Sequence, residues 1–175
     1  MLKRLYIDNF LCFINFEYRP ASKQLLLGDN GSGKSSVLTA LRCLKQFVKG
    51  DQNPFTYSTR TRWLDRPLQV FEMEVGLDGL VYVYRVEIRF ATESRNSSVQ
   101  LERLTVAGSP VFEVAQGQIR FFSLNSDPIT AVPLETTRSA LYLSLLSNPH
   151  VRRFVEWMNC LHCFRIDEHW SAMDE

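Results

Sequence analysis

A glycine-rich segment at residues 28–36 is the part of the sequence whose residue types and spacing could do chemistry. Residues 28–35 read Gly-Asp-Asn-Gly-Ser-Gly-Lys-Ser and match the Walker A (P-loop) pattern G-x-x-x-x-G-K-[ST] in full. Glycines let a backbone approach phosphates without a Cβ clash, and the N–H groups of such a loop, with the helix N-terminus behind it, attract anions. The segment therefore predicts a binding site for ATP or GTP with Mg²⁺.

The motif assigns a role to individual side chains of this phosphate loop. Lys34 should reach the β- and γ-phosphate oxygens, Ser35 should ligate Mg²⁺ through its hydroxyl, and Ser36 should meet the α-phosphate. Ser35 is the predicted metal ligand, and no catalytic residue is assigned. The predicted nucleotide-binding residues are Gly28, Asn30, Gly31, Ser32, Gly33, Lys34, Ser35 and Ser36.

Apolar periodicity predicts the elements that must hold the loop. Residues 2–7 and 13–18 read as two short strands. The compact apolar run at 24–27 is typical of a buried parallel strand and stands directly before the loop. An amphipathic helix is predicted directly after it, from Ser35 to about Lys49, so that residues 1–50 supply strands, loop and helix.

The rest of the chain changes period twice. After a loop at 51–68, alternating apolar residues predict an antiparallel meander over 69–122. Residues 137–166 are predicted to be mainly helical, with Asn148 and Pro149 as N-cap and first residue of a helix, and residues 164–166 could open a strand. Together these elements predict an α/β fold, a P-loop NTPase lobe in a single domain of residues 1–175.

Composition sets broad limits on the function. The 175 residues are 45% hydrophobic, so the chain can bury a core, and 20 basic against 19 acidic residues leave a net charge of +1. This balance gives no general sign of nucleic-acid binding, although a local patch could still provide it. No apolar run approaches the roughly 18 residues that span a bilayer. The four cysteines are too few for a disulfide framework in a chain of this length, and a cytoplasmic location is expected.

Two motifs together suggest a family. Phosphate loops of the form G-x-N-G-S-G-K-S, preceded by a corner of the form I-x-N-F as in residues 7–10, are typical of ABC-type ATPases of the RecF and SMC kind. The chain resembles the N-terminal part of such an AAA-domain ATPase, specifically over residues 1–50 and only in architecture over 69–122. The resemblance implies ATP and Mg²⁺ as cofactors, DNA as a partner in repair or phage defence, and a dimer or second ATPase lobe that completes the site.

The sequence also departs from this family. Such ATPases hydrolyse ATP with a Walker B strand that ends in Asp-Glu and with a Ser-Gly-Gly signature loop, which the sequence lacks. The Asp-Glu pairs at 167–168 and 174–175 follow no buried apolar run. Gln116 and Gln118 are either the family's glutamine loop or turn residues around Gly117. We therefore expect this chain to bind ATP but to hydrolyse it negligibly alone.

Other functions stay open at this stage. One is a small P-loop kinase or GTPase, although the GTPase base-reading motif N/T-K-x-D is absent. Another is a nucleotide-gated interaction module that does not hydrolyse its ligand.

Two further clusters could carry chemistry. Cys160 and Cys163, with His150 and His169 in the same region, could hold zinc, but a structural site needs four ligands and the cysteines also suit the apolar edge of a helix.

The second cluster is an arginine-rich loop at residues 57–66. Arg60, Arg62 and Arg66 alternate with Tyr57 and Trp63 and could contact nucleic acid or a nucleotide base. The alternative is a solvated loop with Trp63 tucked against the sheet.

Overall fold

An antiparallel sheet of eight strands makes up most of this computed structural model, which describes residues 1–50, 54–91, 93–122, 128–133, 138–141 and 148–163. The strands lie in the order β2-β1-β3-β4-β5-β6-β7-β8. Their bounds are β1 Leu2–Asp8, β2 Phe16–Tyr18, β3 Leu68–Leu77, β4 Leu80–Phe90, β5 Ser97–Val106, β6 Ser109–Ala115, β7 Gln118–Phe122 and β8 Pro128–Pro133. In the described part of the chain, the sheet is accompanied by the helices α1 Lys34–Val48 and α2 Pro149–Asn159 and by a 3₁₀ turn at Tyr57–Thr59.

Tight two-residue turns set the antiparallel order of the central strands. The turns at residues 78–79, 107–108 and 116–117 each pair a non-glycine with a glycine, and all six residues have positive φ. Such turns match the twist of a hairpin and force consecutive strands to run antiparallel. The predicted hairpins are therefore present; Gln116 lies in a turn, and Gln118 is the first residue of β7. β8 was not predicted.

The predicted fold class is wrong. A P-loop NTPase fold needs parallel strands, which arise when a helix carries the chain back to the same end of the sheet. Here every pairing between the described strands is antiparallel, including the pairing of β1 with β3 across the connection that contains α1. The described part of the chain is an antiparallel sheet with two helices packed on it, which is another class.

The predicted parallel strand before the phosphate loop is also wrong. Residues 24–27 form no strand, and Leu25 and Leu27 are 77% and 81% exposed. A run of three leucines satisfies the sequence pattern of a buried strand, but no described strand pairs with it. Likewise, β2 covers only residues 16–18 of the predicted 13–18.

One face of the sheet and the apolar faces of both helices share a single core. Alternate residues of β4 from Tyr82 to Phe90 are buried, as the period of two predicted. α1 begins one residue before the predicted start and buries Val37, Leu41, Leu44 and Val48, whereas Leu38, which the sequence pattern also placed on the apolar face, is exposed.

The opposite face of the sheet carries ion pairs between neighbouring strands. Arg4 lies 2.6 Å from Glu72 and 2.7 Å from Glu17, and Arg85 lies 3.0 Å from Glu72. These pairs hold the pKa of Glu72 below its usual range although burial opposes them.

The helix predicted to start at Asn148 and Pro149 is present. The Asn148 side chain accepts hydrogen bonds from the N–H groups of His150 and Val151, which satisfies two donors of the first turn. At the C-terminal end of α2, the carbonyl oxygens of Asn159 and Leu161 accept hydrogen bonds from Lys45 of α1. Of the region predicted to be mainly helical, residues 137 and 142–147 lie outside the described residues, as does the predicted strand at 164–166.

The cysteines and the helices bear on two expectations from composition, that the chain has no disulfide framework and no membrane-spanning run. All four cysteines are free thiols. Within the described ranges, no helix has the length and apolar character needed to cross a bilayer.

Candidate phosphate-binding site

The phosphate loop leads directly into the N-terminus of α1. Gly31 and Gly33 have φ values of 85° and 94°, a region that favours glycine. Gly33 is the N-cap of the helix, and Lys34 is its first residue. The loop is thus a glycine-dependent turn that opens a helix of 15 residues.

Gly33 is required for space as well as for conformation. A Cβ placed there would lie 3.0 Å from the ring of Phe13 and 3.1 Å from Sγ of Cys12. Gly33 is buried against these side chains, so the corner after β1 supports the base of the loop.

We expect Gly33→Ala to destabilise the protein by about 1–3 kcal/mol, because alanine is strained at this φ and would push on Phe13. Urea unfolding measures this cost. Gly31→Ala is the matched control, because it places alanine at a similar positive φ but its Cβ meets nothing within 4 Å, so the comparison isolates the steric contribution. A Gly33→Ala variant no less stable than the Gly31→Ala variant would contradict the account.

The ammonium group of Lys34 lies within the loop. It donates hydrogen bonds to the carbonyl oxygens of Gly28 at 2.5 Å and Asp29 at 2.7 Å, and to Oγ of Ser32 at 3.2 Å. The loop residues from Gly28 to Ser32 are exposed. The structure therefore brings a positive charge to the centre of an open loop.

Backbone N–H groups at the start of α1 have no acceptor in the described part of the chain. Among the described residues, none accepts a hydrogen bond from the N–H groups of Gly33, Lys34 or Ser35, and the N-cap supplies no side-chain acceptor. The first turn of α1 contains no acidic residue. Free N–H groups at a helix N-terminus, together with a lysine, form a site suited to a phosphate or another anion.

The remaining predicted residues lie around the same point. Ser35 is exposed on the first turn, and Asn30 is exposed on the loop. Oγ of Ser36 lies 3.6 Å from Sγ of Cys12, so this hydroxyl faces the corner that supports the loop. Cys12 was not predicted to lie here, and no sequence signal pointed to it.

Asn9, a buried asparagine at the corner after β1, ties the arginine-rich loop to the base of the phosphate loop. Its Nδ2 donates to the carbonyl oxygens of Arg66 and Leu68, both at 2.8 Å, and its Oδ1 accepts from the N–H of Thr61. Gln69 donates to the Asn9 carbonyl oxygen at 2.9 Å. In the sequence, Asn9 stood out only as part of the I-x-N-F corner of the family resemblance. Its positive φ of 58° is typical of asparagine in a turn.

The arginine-rich loop does not have the predicted alternative conformation. Trp63 is 68% exposed and is therefore not tucked against the sheet. Arg60 instead lies over the ring of Tyr57, with 4.6 Å between its guanidinium carbon and the ring centroid.

Among the zinc ligands considered from the sequence, the described ones (Cys160, Cys163 and His150) form no group that could hold a metal ion. Cys160 is exposed at the C-terminal end of α2, whereas His150 lies in its first turn and hydrogen-bonds Tyr82 at 3.0 Å. Burial raises the pKa of the Cys163 thiol, which disfavours the thiolate that metal binding needs. His169 and both Asp-Glu pairs lie outside the described residues.

Comparisons with known proteins supply no relative for this site: no protein-family model matches the chain, and no curated protein matches it significantly.

Proposed function

We propose that residues 28–36 bind ATP with Mg²⁺. The observation that carries this proposal is the Lys34 ammonium held inside an exposed glycine loop at a helix N-terminus. Its present partners are two carbonyl oxygens and a hydroxyl, which are neutral acceptors. A phosphate oxygen would instead carry a negative charge, so the ammonium would gain an ion pair in place of contacts with neutral acceptors.

A triphosphate fits this arrangement better than a single phosphate. The N–H groups of Gly33, Lys34 and Ser35, which have no acceptor among the described residues, can together hold one phosphate group, and the Lys34 ammonium can then bind a neighbouring one. Mg²⁺ usually keeps several waters and binds through substrate phosphates with one or two protein oxygens. The exposed hydroxyl of Ser35 suits that role, and the ion would neutralise charge between neighbouring phosphates.

The proposal includes a partner and a location. Leu25 and Leu27 are largely exposed just before the loop, and exposed apolar residues grouped in this way are typical of a surface that a partner covers. A dimer mate or second ATPase lobe at this surface would complete the site, as the family resemblance implies. Four free thiols support a reducing, cytoplasmic setting.

Calorimetric titration with ATP, ADP and AMP, each with and without Mg²⁺, tests the proposal. We expect affinity to fall from ATP to AMP, because the loop recognises phosphates, and Mg²⁺ to tighten ATP binding. Ser35→Ala should remove most of the Mg²⁺ effect, whereas Ser58→Ala, an exposed serine in the arginine-rich loop, should leave it unchanged. The proposal is overturned if none of the three nucleotides binds, or if AMP binds as tightly as ATP.

A further inference from the structure

A second candidate site lies in the arginine-rich loop, residues 57–66, which begins with the 3₁₀ turn and leads to β3. Its residues line a cleft of about 530 Å³, which includes Tyr57, Arg60, Arg62, Trp63 and Asp65. Trp63 exposes 68% of its surface there, so a large flat aromatic group faces solvent. An exposed tryptophan in a cleft is a common feature of a binding surface.

Two arginine side chains pack on the ring of Tyr57, which lines the cleft. Arg60 and Arg95 lie against the Tyr57 ring, with guanidinium carbons 4.6 Å and 5.1 Å from its centroid. Nη2 of Arg60 donates to the carbonyl oxygens of Leu64 and Arg66, which fixes the side chain and the loop around it. Nε of Arg60 is buried and, among the described residues, has no hydrogen-bond partner.

The charge of this surface is positive. Arg62, Arg66 and Arg95 are exposed, and Asp65 is the one carboxylate among the described residues that line the cleft. Arg66 is the only one of these three for which the described structure shows an ion pair, with Asp8 at 3.3 Å. An anionic ligand with flat rings would therefore meet positive side chains with its charge and the exposed ring of Trp63 with its own rings.

We propose that this cleft binds single-stranded nucleic acid, with an unpaired base stacked on Trp63 and the flanking phosphates held by Arg62 and Arg95. Stacking on an exposed aromatic ring requires an unpaired base, which duplex DNA does not offer. The net charge of the chain, +1, did not point to this site because it sums the charges of all residues and says nothing of how they are distributed. The proposal is independent of the phosphate loop, since none of its residues belongs to residues 28–36.

Fluorescence anisotropy with a labelled oligothymidylate of about 16 nucleotides, in the range bound by single-stranded-DNA-binding folds, tests the proposal without added ATP. Trp63→Ala should weaken binding about 5- to 150-fold, the effect of losing one stacked base. Arg62→Glu should weaken binding and reduce the slope of log affinity against log salt by about one. Circular dichroism and urea unfolding of each variant verify that it folds, as expected for exposed positions.

Arg152→Glu is the matched charge control. Arg152 is exposed on α2, next to Arg153, which pairs with Asp78 in the turn before β4. The cleft lies at the other end of β4, where Tyr57 packs near Phe90. The control therefore changes the charge away from the cleft. We expect its affinity to equal that of the unaltered protein. Lys34→Ala should also retain oligothymidylate binding, which separates this proposal from the phosphate-loop proposal.

The proposal is overturned if the unaltered protein does not bind the oligothymidylate, or if Trp63→Ala binds it equally well. It is also overturned if heparin, a polyanion without bases, binds as tightly as the oligothymidylate and is insensitive to Trp63→Ala.

Discussion

Replacing Lys34 with alanine is expected to weaken ATP binding at least about 100-fold. The ammonium lies within 2.5–3.2 Å of three acceptors of the phosphate loop, and the described structure places no other cation at that point. Losing a charge-assisted contact with a triphosphate costs about 3 kcal/mol, which is roughly two orders of magnitude in affinity. Calorimetry with Mg·ATP measures the change.

Lys49→Ala is the matched control for this variant. Lys49 is exposed at the C-terminal end of the same helix, so its removal changes the net charge equally without touching the loop. We expect its affinity for ATP to change less than twofold. Equal affinities of the Lys34→Ala variant and the unaltered protein would show that ATP, if bound, is held elsewhere.

The second large effect is expected at Glu102, a carboxylate completely buried on the core side of β5. One of its oxygens accepts from the Tyr84 hydroxyl at 2.7 Å and the Ser139 hydroxyl at 2.5 Å, and the other accepts from the N–H of Ala140 at 2.8 Å. Burial nevertheless dominates these hydrogen bonds and raises the pKa of Glu102 from 4.5 to about 7.

This shift makes stability depend on pH in a definite direction. Because the pKa in the folded state lies above that of the unfolded chain, folding favours the protonated carboxyl. The stabilisation is fully present below about pH 4.5 and is lost as the pH rises through about 7. A shift of this size corresponds to about 3 kcal/mol, a large part of the 5–15 kcal/mol typical of a domain.

Glu102→Gln should remove this dependence. A glutamine can keep the arrangement, since its carbonyl oxygen can accept from Ala140 while its amide donates to the hydroxyls of Tyr84 and Ser139. Urea unfolding from pH 4.5 to 8 should show the stability of the variant rising relative to the unaltered protein, by about 3 kcal/mol in all.

Glu156→Gln is the control for this series, because Glu156 is exposed on α2, and this variant should not reproduce the rise of about 3 kcal/mol expected for Glu102→Gln. A constant difference between the Glu102→Gln variant and the unaltered protein across the range would mean that Glu102 does not titrate there.

Local patterns predicted the local elements well. The helix after the phosphate loop and the hairpins around Gly79, Gly108 and Gly117 follow from turn chemistry and periodicity within short stretches. The arrangement of the whole sheet could not be predicted from such local patterns. Residues 24–27 have the composition of a buried parallel strand, but only pairing with a distant strand decides whether they form one. Their exposed leucines show where local reasoning failed.

For the candidate site, the sequence named the residues of the loop but not the residues that pack beneath it. The motif identified Gly33, Lys34 and Ser35, whereas the packing of Gly33 on Cys12 and Phe13 depends on a corner about 20 residues earlier in the chain. Glu102 could have been noticed, since it shares the even-numbered face of β5 with Leu104 and Val106, which are buried. Its partner Ser139 is distant in sequence and could not be inferred.

The most direct measurement of the central claim is a titration of ¹⁵N-labelled protein with Mg·ATP, followed through the backbone amide signals. If the phosphate loop holds the triphosphate, the signals of Gly31, Gly33, Lys34 and Ser35 should shift most, because their N–H groups acquire phosphate acceptors. Those of the hairpin turn at residues 107–108 should stay unchanged. Loop signals that do not move while ATP binds, or that move no more than those of residues 107–108, would contradict the assignment of this loop as the nucleotide site.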